Sequence, residues 1–412
     1  MRLDTLRSCP LSCLTCAMLA LAARDAHGAT DIVPQIRITA EANDNPRLGA
    51  DDIPPELRPS AARLLAEARI GVTKYTERNE GTFEAAVRSD AYAEAADEDL
   101  ESTDLFLGGA GRWRWERSRL GITGDIAREK ITGTEFLGAV DDDSDLDVDG
   151  LVLGFNETRT RATVSPYTEI DFGERSRVRL DLQAMDVSYR DDVPLSPRTD
   201  FTDWEAGGAY VRVLSPRTDL ATRVFGGRYE AADGRNVTDT TGIELRIERE
   251  ISAIWALTAG FGVERSDFAY VDAAGVFFSG TDDNAILDLS LRKQTERSLL
   301  DLELSRRARP DSFGSVVVRN ELAARLDRDL SPKVRGGVVF RAIRSDALDV
   351  IPDHREYGRV DLRLQWAFRP LWSLVAGVEH SYWRNVELDT RANSDSATVG
   401  FNYRGRSRRT QP

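Results

Sequence analysis

Residues 359–366 read Arg359-Val360-Asp361-Leu362-Arg363-Leu364-Gln365-Trp366, with apolar and polar side chains in strict alternation. A period of two puts Val360, Leu362, Leu364 and Trp366 on one face of a strand and Arg359, Asp361, Arg363 and Gln365 on the other. The pattern recurs along the chain. Val178, Leu180, Leu182 and Ala184 alternate with Arg177, Arg179, Asp181 and Gln183. Ile243, Leu245 and Ile247 alternate with Glu244, Arg246 and Glu248, and Ala285, Leu287, Leu289 and Leu291 alternate with Ile286, Asp288, Ser290 and Arg292. Such runs match the ~9–11 residues with which a tilted strand crosses a bilayer. A soluble sheet also alternates, so alternation alone does not choose between the two.

Connection lengths choose. Short turns occur at Glu116-Arg117-Ser118, Gly173-Glu174-Arg175-Ser176, Ser215-Pro216-Arg217-Thr218, Glu248-Arg249-Glu250, Thr295-Glu296-Arg297-Ser298, Leu330-Ser331-Pro332-Lys333 and Arg369-Pro370. Between them lie longer segments, 94–102, 130–148, 190–200, 231–238, 269–282, 308–315, 344–356 and 384–393. Tight turns at one end and long loops at the other are the signature of a transmembrane antiparallel up-and-down β-barrel, with its turns in the periplasm and its loops outside. Aromatic residues collect at both strand ends, among them Trp255, Trp372 and Tyr403 near the turns and Trp204, Tyr357 and Trp383 near the loops. Two aromatic belts are expected at the two headgroup levels.

Counting strands between connections gives an all-β barrel of about 18 strands. The 149–172 span changes apolar phase, from Leu151, Leu153 and Phe155 to Ala162, Val164 and Ile170, which means a bulge or a hidden turn near Glu157–Arg161 and leaves 16 strands open.

The start of the chain reads as an export signal, residues 1–29, with Arg2 and Arg7 before an apolar stretch from Leu11 to Ala23. The chain's three cysteines, Cys9, Cys13 and Cys16, all fall inside it, so the processed protein has no thiol for disulfide, redox or Cys-zinc chemistry. Residues 30–404 form the barrel, and 405–412 read as a basic periplasmic tail. The cell outer membrane is the expected location, with outer-membrane lipid, lipopolysaccharide and the barrel assembly machinery as partners. A net charge of −14 argues against nucleic acid as a partner.

Signs of chemistry are few. Asp145, Asp147 and Asp149 precede Gly150 as in the first half of a calcium loop, but Asn156 stands where the bidentate Glu belongs. They are weak metal candidates, and a solvated acidic loop is the plainer reading. Only His354 and His380 remain after processing, the first in an expected outer loop and the second on the lipid-facing register near a rim. No nucleophile elbow or phosphate-cradling glycine loop appears, so neither an enzyme nor a cofactor is expected. The inward register is richer in information: Arg177, Arg179, Asp181, Glu244, Arg246, Glu248, Asp301, Glu303, Arg359, Asp361 and Arg363 are the candidate lumen-lining residues. Ladders of both signs either pair with one another or guide a polar solute.

The segment Ile36-Arg-Ile-Thr-Ala-Glu-Ala-Asn-Asp-Asn-Pro-Arg-Leu48, the repeated strand, Arg-bearing turn, strand units and Leu304-Ser-Arg-Arg-Ala-Arg-Pro-Asp-Ser-Phe-Gly314 resemble a family of outer-membrane β-barrel proteins that occur with exopolysaccharide biosynthesis and export systems. The resemblance covers nearly all of residues 31–404. It implies a conduit or structural partner in exopolysaccharide secretion, with polysaccharide or export-system proteins as partners, and no catalytic residue. The chain departs from the pattern at its end, where Phe401-Asn-Tyr403 is followed by Arg404, Arg406, Arg408 and Arg409 rather than closing on an aromatic residue. From the residues alone two alternatives stand beside this: a general or selective diffusion porin, and a non-transporting surface barrel serving adhesion or protection.

Overall fold

The computed structural model describes residues 29–45, 60–93, 101–131, 157–190, 198–232, 234–271, 275–311, 315–347 and 354–405. Eighteen strands run in order: β1 (Ala29–Asn43), β2 (Ala61–Tyr75), β3 (Asn79–Tyr92), β4 (Ser102–Arg114), β5 (Ser118–Ile131), β6 (Glu157–Gly173), β7 (Ser176–Arg190), β8 (Phe201–Ser215) and β9 (Thr218–Ala231). They continue with β10 (Asn236–Ser252), β11 (Trp255–Val271), β12 (Phe277–Gln294), β13 (Ser298–Pro310), β14 (Val316–Ser331), β15 (Val334–Ala347), β16 (His354–Arg369), β17 (Trp372–Asn385) and β18 (Thr390–Arg404). Each pairs antiparallel with its sequence neighbours, and β18 pairs with β1, so the sheet closes.

Closure is a direct consequence of the first and last patterns. Ile38 faces Phe401 and Ile36 faces Tyr403 across the β1–β18 seam. The seam extends one residue past β18, because the Gly405 amide donates to the Pro34 carbonyl at 2.7 Å. Residue 405 is therefore tied to the sheet and does not belong to a free tail. Residues 1–28 and 406–412, which hold most of the expected signal and tail, lie outside the described residues.

The burial pattern is inverted relative to a soluble protein. Ile36, Leu180, Phe261, Leu362 and Phe401 point outward and are each about half exposed, while Asp104, Glu244 and Glu264 point inward and are at most 3 % exposed. An uninterrupted apolar surface around a closed sheet is untenable in water and is the lipid face of a membrane barrel. Closure leaves no backbone edge in the hydrocarbon.

The hairpins joining β2 to β3, β4 to β5 and the later even-to-odd pairs at the same end have turns of two or three residues. Five of them carry a register shift beside the turn, as at Val213/Ser215 and Asp329/Ser331. Serine makes these turns: Ser215 Oγ accepts from the Arg217 amide, and Ser331 Oγ from the Lys333 and Val334 amides.

Three expectations need correction. Within the described part of the 149–172 span, β6 runs from Glu157 with no register shift over Glu157–Arg161, so neither a bulge nor a turn lies there, and the sheet has 18 strands rather than 16. Residues 151–156 lie outside the described residues. The 384–393 connection shrinks to 386–389, because Arg384 and Arg391 are already paired across β17 and β18. His354 opens β16 instead of lying in a loop, held by Asp346 of β15 through Nδ1 at 2.5 Å.

Candidate functional site

Odd-numbered residues of β7, β8 and β9 and even-numbered residues of β10, β11 and β12 share the inner face, because antiparallel partners lie on one side of the sheet. Arg177, Arg179, Asp181, Glu244, Arg246, Glu248, Asp301, Glu303, Arg359, Asp361 and Arg363 all fall on that face by register. Its charges are knitted into ion pairs, several of which skip a strand. Arg177 of β7 reaches Asp219 of β9 at 2.7 Å, and Arg223 of β9 reaches back to Asp181 of β7 at 2.6 Å while also binding Glu205 of β8 at 2.7 Å. Arg246 of β10 bonds Glu244 at 3.1 Å and reaches Asp288 of β12 at 2.6 Å.

Glycine on the skipped strand makes room for the Arg223 and Arg246 crossings, while Arg177 crosses β8 over Val211 and Val213. A Cβ on Gly207 of β8 would stand 2.6 Å from Arg223 Nη2, and one on Gly260 of β11 would stand 2.8 Å from Glu244 Oε1. A longer side chain at either place would block the crossing guanidinium or carboxylate.

On the opposite wall Arg359 takes Glu379 at 2.9 Å and Asp361 at 3.5 Å, and Arg363 takes Asp361 at 3.0 Å. Arg179 lies over the Tyr167 ring at 4.5 Å and shares Glu169 with Arg119. Toward the loop end the pairs are drier: Arg88 holds Asp104 at 2.7 Å and Arg63 holds Glu41 at 2.7 Å, with all four side chains at most 10 % exposed. Glu248 is exposed near the turn end.

The loop end of the lumen carries a feature that alternation gives no hint of. The β12–β13 ladder stops at Leu287 and Arg306, although β12 continues to Phe277 and β13 to Pro310. Beyond that point β13 crosses inside the wall. The Ala308 amide donates to Glu264 Oε1 of β11 at 2.7 Å, and Arg307 Nη2 reaches Glu244 Oε2 of β10 at 2.9 Å. The Arg307 guanidinium also stands 5.8 Å from the Phe225 ring of β9. Val316 of β14, with Ala308 beside it, packs into an apolar cluster of Val187, Phe201, Tyr229 and Ala231 from β7, β8 and β9. Ile286 of β12, under the crossing strand, is 2 % exposed. The ends of β13 and β14 thus reach across the interior to the far side of β10, β11 and β12.

Neither histidine sits in a catalytic arrangement. His380 faces outward and bonds Asp395 at 2.8 Å, while the neighbouring Ser381 hydroxyl donates inward to Glu379. Among the described residues no group of three or more His, Cys, Asp or Glu side chains could hold a metal ion. Asp145, Asp147 and Asp149 lie outside the described residues.

Register extended to every strand would have found Glu205, Asp219, Arg223 and Asp288, which have the right parity. The partners of Arg307 and Ala308 had no sequence signal, because they depend on where a ladder ends.

No family model and no curated protein matches the chain. Solved structures do resemble it. The outer membrane protein OpdK of Pseudomonas aeruginosa aligns over 91% of this chain and 99% of its own, at 13% identity and a TM-score of 0.45. OccK2 (OpdF) of the same organism, solved in complex with glucuronate, aligns over 91% and 97%, at 12% identity and a TM-score of 0.47. Acinetobacter baumannii OccAB2 aligns over 92% and 98%, at 9% identity and a TM-score of 0.45. These are likenesses in the layout of the chain; the ligand named belongs to that protein.

Proposed function

We propose that the chain is an outer-membrane porin, a passive channel for small polar or charged solutes, and a selective one. The observation that carries this reading is the pairing of an apolar exterior with an interior wall of part-exposed charges of both signs, such as Arg177–Asp219 and Arg246–Asp288. Such a wall stays wetted and offers successive weak sites, which is what conduction needs. The strand ends that cross the lumen narrow it and favour selectivity over general diffusion. In this reading residues 1–29 direct export, Arg177, Arg179, Asp181, Arg246, Glu248 and Arg363 line the solute path, and the buried Glu244, Arg359 and Asp361 hold the wall behind them.

A conduit for exopolysaccharide rests on the sequence resemblance alone; among the described residues no feature of the lumen favours a polymer over a small solute. Purified protein in planar bilayers should give discrete conductance steps, and vesicles containing it should swell in small sugars or amino acids. Absence of both would sink the porin reading and leave a non-transporting barrel. A deletion strain scored for secreted polysaccharide tests the conduit: loss of polymer from a strain whose protein conducts no small ions would favour it.

A further inference from the structure

The inner-face contacts of β13 and β14 bear on which solutes pass. The pairing of β12 with β13 obeys a fixed register, Leu289 with Leu304, Ser290 with Glu303 and so on, up to Leu287 with Arg306. One step further, the same register would set Ile286 opposite Arg307, Ala285 opposite Ala308 and Asn284 opposite Arg309. None of these pairs forms, and among the described residues Phe277–Ile286 of β12 pairs only with β11. Among the described residues no strand covers the β12 edge that β13 abandons, and the abandoned register is intact. The end of β13 that this register would carry along β12 stands inside the lumen instead.

What selects the inner seat is visible in the side chains. The Ala308 amide, which in the wall would face a β12 backbone acceptor, is taken by the Glu264 carboxylate. Arg307 is taken by Glu244, which is 2 % exposed and also binds Arg246. A charge-assisted bond is stronger than a backbone bond exposed to water at a sheet edge. Val316 supplies an apolar anchor against Val187, Phe201, Tyr229 and Ala231. Pro310 has no amide to give, so a wall ladder would end there in any case.

We propose that Arg307–Pro310 together with Val316–Val318 form the constriction that decides which solutes pass, and that Glu244 and Glu264 are its latch. The open edge of β12 is the seat Arg307–Pro310 takes when unlatched, while Val317 and Val318 of β14 stay paired with Ala347 and Asp346 of β15. This rests on the channel reading above. It adds the determinants of selectivity and places them on wall strands rather than on the charge ladders nearer the turns.

Disulfides can hold each seat, since Cys9, Cys13 and Cys16 all precede the described barrel and leave it free of thiols. Ala285→Cys with Ala308→Cys reports the wall seat, and Ala231→Cys with Val316→Cys reports the inner one. Proteins are purified, checked for heat-modifiable folded mobility, oxidised and recorded in planar bilayers. The inner pair should cross-link readily, with conductance at or below that of the unmodified channel. The wall pair should cross-link slowly, and faster once Glu244→Ala and Glu264→Ala are added. Its oxidation should raise conductance roughly twofold or more, because current follows the narrowest section of a pore, and reductant should reverse the rise. If the wall pair does not assemble, Glu244→Ala with Glu264→Ala alone should raise conductance and admit larger solutes in swelling assays. Currents that are present but indifferent to oxidation and to the latch substitutions would overturn the constriction while leaving the channel reading intact. Rapid cross-linking of the wall pair and none of the inner pair would overturn the inner seat. No current from any form, including the oxidised wall pair, would overturn the channel reading and the constriction's role with it.

Discussion

Leu362→Arg should destabilise the barrel far more than Arg179→Ala, although one adds a charge to the sheet and the other removes one. Leu362 faces outward at 45 % exposure, with Val338 and Val378 as its outward register partners on β15 and β17. It stands seven residues before Arg369 at the turn end of β16. At about 3.4 Å per residue and a tilt near 40°, that is roughly 18 Å above the turn and roughly 10 Å above Trp366, which pairs with Phe368 at the turn-side aromatic level, so Leu362 lies close to the middle of an apolar belt about 25 Å tall. An arginine there reaches neither headgroup layer without distortion, and the cost is about 2–4 kcal/mol. Arg179→Ala loses a 3.6 Å contact with Glu169, which keeps Arg119, and the stacking on Tyr167. Its side chain is 44% exposed, so the ion pair is worth about 0–1 kcal/mol and the cation–π contact about 0.5–1 kcal/mol. The difference is on the order of a tenfold change in the folding constant or more. Denaturant titration of folding into lipid vesicles, read from the mobility of the folded band, measures it, with Leu362→Ala separating loss of apolar contact from gain of charge. Equal losses for Leu362→Arg and Arg179→Ala would mean that the two faces have been exchanged.

Cysteine at Leu388, 73% exposed in the 386–389 connection, should label in intact cells, and cysteine at Ser215 in the opposite turn should not; the reverse would invert the proposed orientation. Truncation after Gly405 should leave assembly intact, since it keeps the bond to Pro34, whereas replacing Phe401 and Tyr403 by Ala should leave protease-sensitive, unassembled protein. Asp104→Ala should cost about 3–5 kcal/mol by taking the 2.7 Å carboxylate partner from the buried Arg88, and replacing both partners by Leu should recover most of it, as denaturation midpoints would show.

Most of the wall was legible because a strand with lipid on one side and water on the other has no freedom to disguise its period. Leu180 and Arg179 could not exchange faces without placing a charge in hydrocarbon, so the alternation from Arg177 to Ala184 fixes register as well as secondary structure. Most turn positions followed from Ser-Pro and Arg-bearing breaks, since Ser215 and Ser331 bond their own turn amides, but the turn read at Glu248–Glu250 is strand, and β10 runs on to Ser252. Legibility fell where lipid no longer constrains the pattern. The 384–393 and 149–172 misreadings lie at the loop end, where strands continue into water and polar residues such as Arg384 and Arg391 pair without alternating. The strand-skipping pairs could be placed on the inner face but not matched, because Arg223 had several carboxylates of the right parity within reach.

The place where β13 leaves the wall follows from the same constraint. Up to Leu287 and Arg306 the outward side chains of β12 and β13 are Leu289, Leu291, Leu302 and Leu304, so both strands stand in the apolar belt. An unpaired amide or carbonyl there would cost several kcal/mol, and the ladder is unbroken. Beyond it the outward residues of β12 become Asp283, Thr281 and Ser279, which belong to the headgroup layer and the water above it. Only there can an edge open at small cost, with water completing the bonds that β13 withdraws. A wall strand can turn into the lumen beyond the belt and nowhere within it, which is why the constriction lies near the loop end and the paired charges fill the height of the belt.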